Sequence, residues 1–295
     1  MTRPNAMGNK RCIVTGGAHG IGAATVDLLL RRGAYVTVID LEKPGTRSSN
    51  DRLLRLYGDV TDHDAMERCV QESALHFGAV DVVIANAGIT PPPATVRTAD
   101  IADFDKVLAV NFGGVLNVVR AAIDDIVDSG GHIQLVSSCA AFTPGPAGSP
   151  YMVSKAAVEQ LGRSLRIELA AVGATCGIQY FGIVDTRLAT DTLDYNEFGR
   201  RIGQLLPWPL NRRMTVDDAA HSLVRAVGRR APVTVSPALW RPYYHLRGLI
   251  NPLLERRLSR SDSVHTLLRD IENHAFDRRP AVRAASVRPL PRLDD

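Results

Sequence analysis

The sequence predicts an α/β protein built on a doubly wound parallel sheet, and three observations predict it. Short apolar, β-rich runs alternate with longer helical patterns from Arg11 to Val235. The first run breaks into a glycine-rich turn, and the second ends on an acidic residue. The polar residues suited to chemistry fall where a strand gives way to a loop or the next helix begins, which is where open α/β sheets bind ligands.

Arg11 to Thr15 reads as the first strand and runs into Gly16-Gly17-Ala18-His19-Gly20-Ile21-Gly22, followed by a helical pattern from Ala23 to Arg32. Ala34 to Ile39 is the second strand and ends at Asp40. Strand, glycine turn, helix, strand, acid is the order of a dinucleotide-binding βαβ unit. Glycines let backbone amides at a helix N-terminus approach a pyrophosphate, and the helix dipole favours its charge. The spacing Gly-x-x-x-Gly-x-Gly departs from the commoner Gly-x-Gly-x-x-Gly, so a plain structural turn competes with this reading. Asp40 stands where a carboxylate can hold two ribose hydroxyls and repel a 2′-phosphate, which favours NAD over NADP. His19 and Arg47 are the residues able to attract that phosphate.

Leu54 to Tyr57 is the third strand, before Gly58-Asp59-Val60, and Asp62 to Phe77 is a helix. Asp81 to Ala85 is the fourth strand and leads into Asn86-Ala87-Gly88. A loop with Pro91 to Pro93 precedes a helical stretch from about Ile101 to Asp128 that contains Asn111. A buried Asn in mid-helix is costly unless satisfied, so Asn111 is either a local lock or part of a proton path. Gly131 to Ser137 is the fifth strand, Pro150 to Val172 a helix and Cys176 to Phe181 the sixth strand.

The stretch from Ser138 to Lys155 carries the chemistry. With Tyr151 near a helix start, Lys155 lies one turn later on the same face. An ammonium beside the phenol favours the phenolate and lowers a pKa that is otherwise near 10. Ser138, at a strand's carboxyl end, can hydrogen-bond a substrate oxygen while Tyr151 exchanges its proton. Tyr-x-x-x-Lys alone is a weak signal, although only four of the 35 basic residues are lysines.

The 295 residues, 45% of them hydrophobic, suffice for a sizeable core. No apolar run approaching twenty residues stands out, and the charged segment Met1 to Arg11 precedes no apolar leader core, which predicts a cytoplasmic protein. Cys12, Cys69, Cys139 and Cys176 are far apart without a Cys-x-x-Cys pair, arguing against a metal site and a disulfide framework. The net charge of +4 belongs to the region from Arg241 onward, with 11 arginines against 7 acidic residues. These arginines are dispersed and lack an aromatic platform, so no nucleic-acid partner is expected.

Taken together, these motifs resemble the short-chain dehydrogenase/reductase superfamily over about residues 8 to 238. Thr15 to Gly22 is similar to its cofactor turn, with Gly16, His19, Gly20, Ile21 and Gly22 at the dinucleotide. Asp59-Val60 is similar to its adenine contact, and Asn86-Ala87-Gly88 to the motif that steadies the sheet. Asn111, Ser138, Tyr151 and Lys155 fall at its catalytic tetrad. The resemblance implies a Rossmann fold and an NAD-dependent interconversion of an alcohol with a ketone or aldehyde. It also implies that Tyr151 is the general acid/base, Ser138 positions the substrate oxygen, Lys155 lowers the tyrosine pKa and holds the ribose, and Asn111 holds a relay water. Phe181-Gly182 replaces the family's Pro-Gly, placing Phe181 where it could intrude above the nicotinamide, while Thr186 is kept for the carboxamide. A homodimer or homotetramer through the two long central helices is implied as well. An NADPH-dependent carbonyl or 3-ketoacyl reductase and a non-catalytic dinucleotide sensor are the rivals.

The chain divides into a flexible N-terminus at 1–7, a dehydrogenase domain at 8–240 with a substrate lid at 187–214, an amphipathic helical extension at 241–277 and a disordered tail at 278–295. The lid segment Ile202 to Leu210 is markedly apolar, predicting either a lipophilic substrate of steroid, retinoid or fatty type, or packing of the lid. Thr215 to Arg229 reads as a capped helix and Pro232 to Val235 as the last strand. In the extension, Leu246, Leu249, Ile250, Leu253, Leu254 and Leu258 recur at helical spacing among arginines, with a kink expected at Pro252 and an N-cap at Ser263 for a second helix. Such a basic amphipathic face can lie on a membrane surface or pack on the protein itself.

Overall fold

A computed structural model describes residues 6–42 and 50–277, so the expectations for Arg47 and for the 278–295 tail lie outside the described residues. The apolar runs form seven strands: β1 (Arg11–Thr15), β2 (Tyr35–Asp40), β3 (Leu53–Tyr57), β4 (Val82–Ala85), β5 (His132–Ser138), β6 (Thr175–Phe181) and β7 (Val233–Ser236). They pair in the order β3-β2-β1-β4-β5-β6-β7, each neighbouring pair parallel. The chain moves outward from β1 to β3 and returns past β1 to β4. A crevice therefore opens between β1 and β4 at the strands' carboxyl ends.

Both faces of a parallel sheet must be covered, and helices cover them. Helices α1 (Gly20–Arg31), α2 (His63–Phe77), α3 (Ile101–Leu108), α4 (Gly114–Asp128), α5 (Ser149–Ala170), the short turns α6 (Arg187–Ala189) and α7 (Glu197–Gly203), and α8 (Val216–Gly228) follow in chain order. Helices α2, α4 and α5 pack Met66, Val118 and Val158 onto one face, whereas α1 and α8 pack Leu29 and Leu223 onto the other. At the opposite end of the sheet, Asp81 accepts bonds from the Arg11 backbone and guanidinium and from Lys10. Burial opposes ionisation there, but these bonds hold the Asp81 carboxyl down at about 2.

Local sequence sets the helix ends. The Asp62 side chain caps α2 through the Ala65 amide at 3.0 Å, and Gly78 ends the helix at φ 87°. Thr215 caps α8 through the Asp218 amide at 3.1 Å, as its sequence predicts.

Several expectations are corrected. Met7 is buried in the core rather than part of a flexible terminus, because it packs beneath α1 and α8. The stretch 101–128 does contain a window with the length and mean hydropathy (1.4) of a membrane span. Here Val115, Val118, Val119, Ala122 and Ile126 of that stretch belong to the core. It is also interrupted at Ala109–Gly113 by a π-helical turn, where Asn111 sits.

The extension forms α9 (Arg241–Leu258) and α10 (Asp262–Asp277). Pro252 lies inside α9 without ending it, since Pro252 and Gly248, whose carbonyl loses its partner, are both on the exposed face where water can replace the bond. Ser263 is already within α10, whose first residue is Asp262, so the expected cap is displaced toward Ser261. Tyr243, Ile250 and Leu254 pack inward, and Leu246, Leu249 and Leu253 stay exposed.

Candidate active site

The glycine turn is shaped by contacts that leave no room for side chains. Gly16 and Gly20 have φ of 65° and 53°, and a Cβ on Gly16 would lie 2.8 Å from the Ala87 Cα. On Gly22 it would lie 2.0 Å from the Gly16 carbonyl oxygen. His19 begins α1 without a side-chain cap, and no acid occupies the first turn, so the leading amides remain available to an anion. Asn86 fastens this turn: its amide donates to the Thr15 and Gly16 carbonyls at 3.1 and 3.0 Å. The Thr15 hydroxyl accepts from the Asn86 and Ala87 amides.

Asp40 ends β2 at the rim, where its carboxylate accepts from the Ala18 and Glu42 amides at 3.0 and 3.2 Å. His19 is paired with Glu42 at 2.9 Å on the exposed edge. Asp59 accepts from the Thr61 amide and hydroxyl, and Val60 is wedged against Gly114. Thr186 sits opposite Gly20, its methyl 3.5 Å from where a Gly20 Cβ would lie. Gly16, His19, Gly20, Ile21, Asp40, Asp59, Val60, Asn86, Ala87, Gly88 and Thr186 all line one cleft of about 760 Å³, which also takes in Ser138, Tyr151 and Lys155. Gly22 and Asn111 stand behind this lining.

Ser138 accepts from the Ala140 amide at 3.1 Å and donates to the Phe181 carbonyl at 3.3 Å. The Tyr151 phenol lies near this hydroxyl, which acts to lower its pKa. The Lys155 ammonium lies 5.7 Å from the centre of the Tyr151 ring and donates to the Val136 carbonyl at 3.2 Å. The α5 backbone is tied to β5 by the Ser137 hydroxyl, which donates to the Lys155 carbonyl at 3.0 Å. The Asn111 amide donates to the Ile89 carbonyl and the Ser154 hydroxyl at 2.9 and 3.0 Å and accepts from the Ile89 amide at 2.8 Å. Both amide protons are thus consumed, which matches the local lock and leaves one oxygen lone pair for a relay water.

Charge behaves differently from the sequence expectation. Burial pushes the Tyr151 phenol above its ordinary value, outweighing the Ser138 hydroxyl that lowers it. Burial likewise pulls Lys155 down to about 8. Burial is thus the largest influence on both groups, and Lys155, which donates to the Val136 carbonyl, is not among the causes of the Tyr151 shift.

Phe181 is 4% exposed and packs with the core around Val136 and Val184, and it also lines the cleft. The sequence reading missed Met152 and the 143–148 loop, and it missed Trp240, Leu254 and Leu258, all of which line the cleft. The two leucines were visible as part of an apolar stripe, but the period of a helix does not say what the stripe faces.

Fold and cleft together define an α/β nucleotide-binding protein with a polar hydroxyl cluster beside its glycine turn. Residues 10–196 match the short chain dehydrogenase family, and the chain belongs to it. The probable oxidoreductase EphD of Mycobacterium tuberculosis is 32% identical over 246 residues, covering 78% of this chain and 41% of that protein. The chain thus spans about two fifths of the length of this relative. Cis-4-hydroxycyclohexanecarboxylate dehydrogenase of Sinomonas cyclohexanicum is 34% identical over 190 residues, or 62% of this chain and 76% of the relative. A short chain dehydrogenase/reductase from Burkholderia phymatum, solved with NAD, superposes with a TM-score of 0.73 at 18% identity, covering 84% of this chain and 96% of its own.

Proposed function

We propose that the protein is an NAD(H)-dependent oxidoreductase that interconverts an alcohol with a ketone or aldehyde, on a lipophilic substrate. The observation that carries this reading is the Ser138–Tyr151 hydroxyl pair in the cleft, with Lys155 behind it and the glycine turn opposite. The cradle at Gly16, Gly20 and Gly22 fits a dinucleotide, because a side chain at Gly16 or Gly22 would collide and the α1 amides face it uncapped. A nicotinamide, when bound, gives or takes the hydride.

The residues of this chain do the rest. Tyr151, whose phenol burial keeps protonated, donates its proton to a carbonyl oxygen during reduction; for oxidation it must first release that proton to solvent, and the phenolate then accepts the alcohol proton. Ser138 would fix that oxygen, and Lys155 and Thr186 would hold the cofactor's nicotinamide end. Asp40 supports NAD, since a carboxylate anchored by two amides repels a 2′-phosphate and the neighbouring His19 is already paired with Glu42. Relatives named as dehydrogenases of hydroxylated small molecules support the alcohol reading.

The test is Tyr151→Phe in the purified full chain. Turnover should fall by about three orders of magnitude, in the range that loss of a general acid/base produces, while NADH binding by nicotinamide fluorescence is unchanged. Retained turnover would remove the tyrosine from the chemistry.

A further inference from the structure

The helices beyond β7 are tied into the rims of the cleft. On α5, Glu159 receives Arg247 of α9 at 2.6 and 3.1 Å, and the same guanidinium stacks over Phe142 and Tyr244 at 5.3 and 4.9 Å. Asn251 donates to the Phe142 carbonyl at 2.8 Å and accepts from the Tyr243 hydroxyl at 2.6 Å. These contacts fix the rotation of α9. Leu254 then joins Leu206 and Leu210 of the lid in one apolar cluster, and Leu254 and Leu258 line the cleft together with Ile202, Leu205 and Pro207.

Helix α10 spans from one rim to the other. Glu272, only 8% exposed, receives the Thr95 hydroxyl and the Arg97 guanidinium at 2.9 Å each, from the loop that follows the cleft-lining Pro91 and Pro93. Asp270 pairs with Arg201 of α7 at 2.7 Å, and Phe198 of α7 packs against His274 with ring centres 5.3 Å apart. The solved Burkholderia neighbour is covered over 96% of its length by only 84% of this chain, so part of this chain has no counterpart there.

We infer that α9, braced by α10, forms the distal wall of the substrate cleft, and that Leu254 and Leu258 are specificity-determining residues that set how long an apolar substrate the enzyme accepts. The inference rests on the alcohol-oxidoreductase reading above. Leu254 and Leu258 offer the cleft aliphatic carbon and no charge, so they fit an uncharged hydrocarbon end and disfavour a carboxylate or phosphate against them, which would be desolvated without a partner there. A larger side chain there shortens the cleft, whereas a smaller one lengthens it.

The experiment compares the full chain with Leu254→Trp, Leu258→Trp, Leu258→Ala and the control Leu249→Trp, which changes an exposed residue of the same helix. One arm measures kcat/KM for NAD-dependent oxidation of 2-alkanols from 2-butanol to 2-decanol. The other measures binding of the apolar fluorophore N-phenyl-1-naphthylamine. The expected result is a loss of about tenfold or more for 2-decanol relative to 2-butanol in the two cleft tryptophan variants, the scale of one or two displaced methylenes. Leu258→Ala should shift the optimum to longer chains, and Leu249→Trp should leave the profile unchanged. An unaltered chain-length profile in the cleft variants would overturn the inference. If the parent protein oxidises none of the alcohols, the alcohol reading falls and the fluorophore arm decides the wall. Weaker binding in Leu254→Trp and Leu258→Trp alone supports it, and equal binding in all variants refutes it.

Discussion

Replacing Lys155 by Met should stabilise the cofactor-free protein while destroying its activity. Lys155 is 4% exposed, and among the described residues it has no carboxylate partner and its ammonium hydrogen-bonds to the Val136 carbonyl. Burial lowers its pKa from 10.5 to about 8, so at neutral pH folding confines a charge that water would solvate better. That gap corresponds to about 3 kcal/mol, of which about 1 kcal/mol is returned when the Val136 hydrogen bond is lost in the variant. A net gain of about 2 kcal/mol is expected at neutrality.

The sign follows from proton counts. Between the folded value near 8 and the unfolded value of 10.5, the unfolded chain binds more protons, so the lysine's penalty shrinks as pH rises. By pH of about 9.5 the advantage of Lys155→Met should have fallen by about 2 kcal/mol, to near zero. Cys12, Cys69, Cys139 and Cys176 are pushed up by burial and pull the other way, since unfolded thiols ionise first. They are common to both proteins and cancel in the difference. Urea unfolding followed by circular dichroism, on both proteins at both pH values, measures it. A difference that does not change with pH would show that folded Lys155 stays charged throughout, refuting the burial argument.

Three further outcomes are expected. Asp40→Ser should raise NADPH affinity at least tenfold relative to NADH, read by fluorescence titration, because the anchored carboxylate no longer faces the 2′-phosphate. His132, buried between Thr175 and Gln134, is pulled down to about 4, so it contributes stability above pH 6.5 that is lost as pH falls toward 4. His132→Gln should remove about 3 kcal/mol of that acid dependence in urea titrations. Glu272→Gln should weaken the Arg97 tie between α10 and the cleft rim. Its expected signature is a KM for long alcohols raised several-fold with kcat unchanged; a fall in kcat alone would place Glu272 in the chemistry instead.

What the sequence determined by itself was the order of elements and the identity of the polar cluster. Alternating apolar runs can be buried only as a covered parallel sheet, and Gly16, Gly20 and Gly22 mark a turn in which two of the three have positive φ and two would collide as any larger residue. Asn86, Ser138, Tyr151 and Lys155 were legible because each lies at or just past a strand end or in the first two turns of a helix, positions that local pattern fixes. Asp62 and Thr215 capped the predicted helices for the same local reason. Only the tertiary structure decided the charge states, because the shift at Tyr151 depends on how much protein surrounds the phenol, and spacing along a helix does not encode that. It also decided that Asn111 bonds Ile89 and Ser154, and that Leu254 and Leu258 face the cleft while Leu246, Leu249 and Leu253 face outward. An apolar stripe records that something must be covered; which surface covers it is set by distant partners such as Glu159, Phe142 and the lid, brought together only by folding.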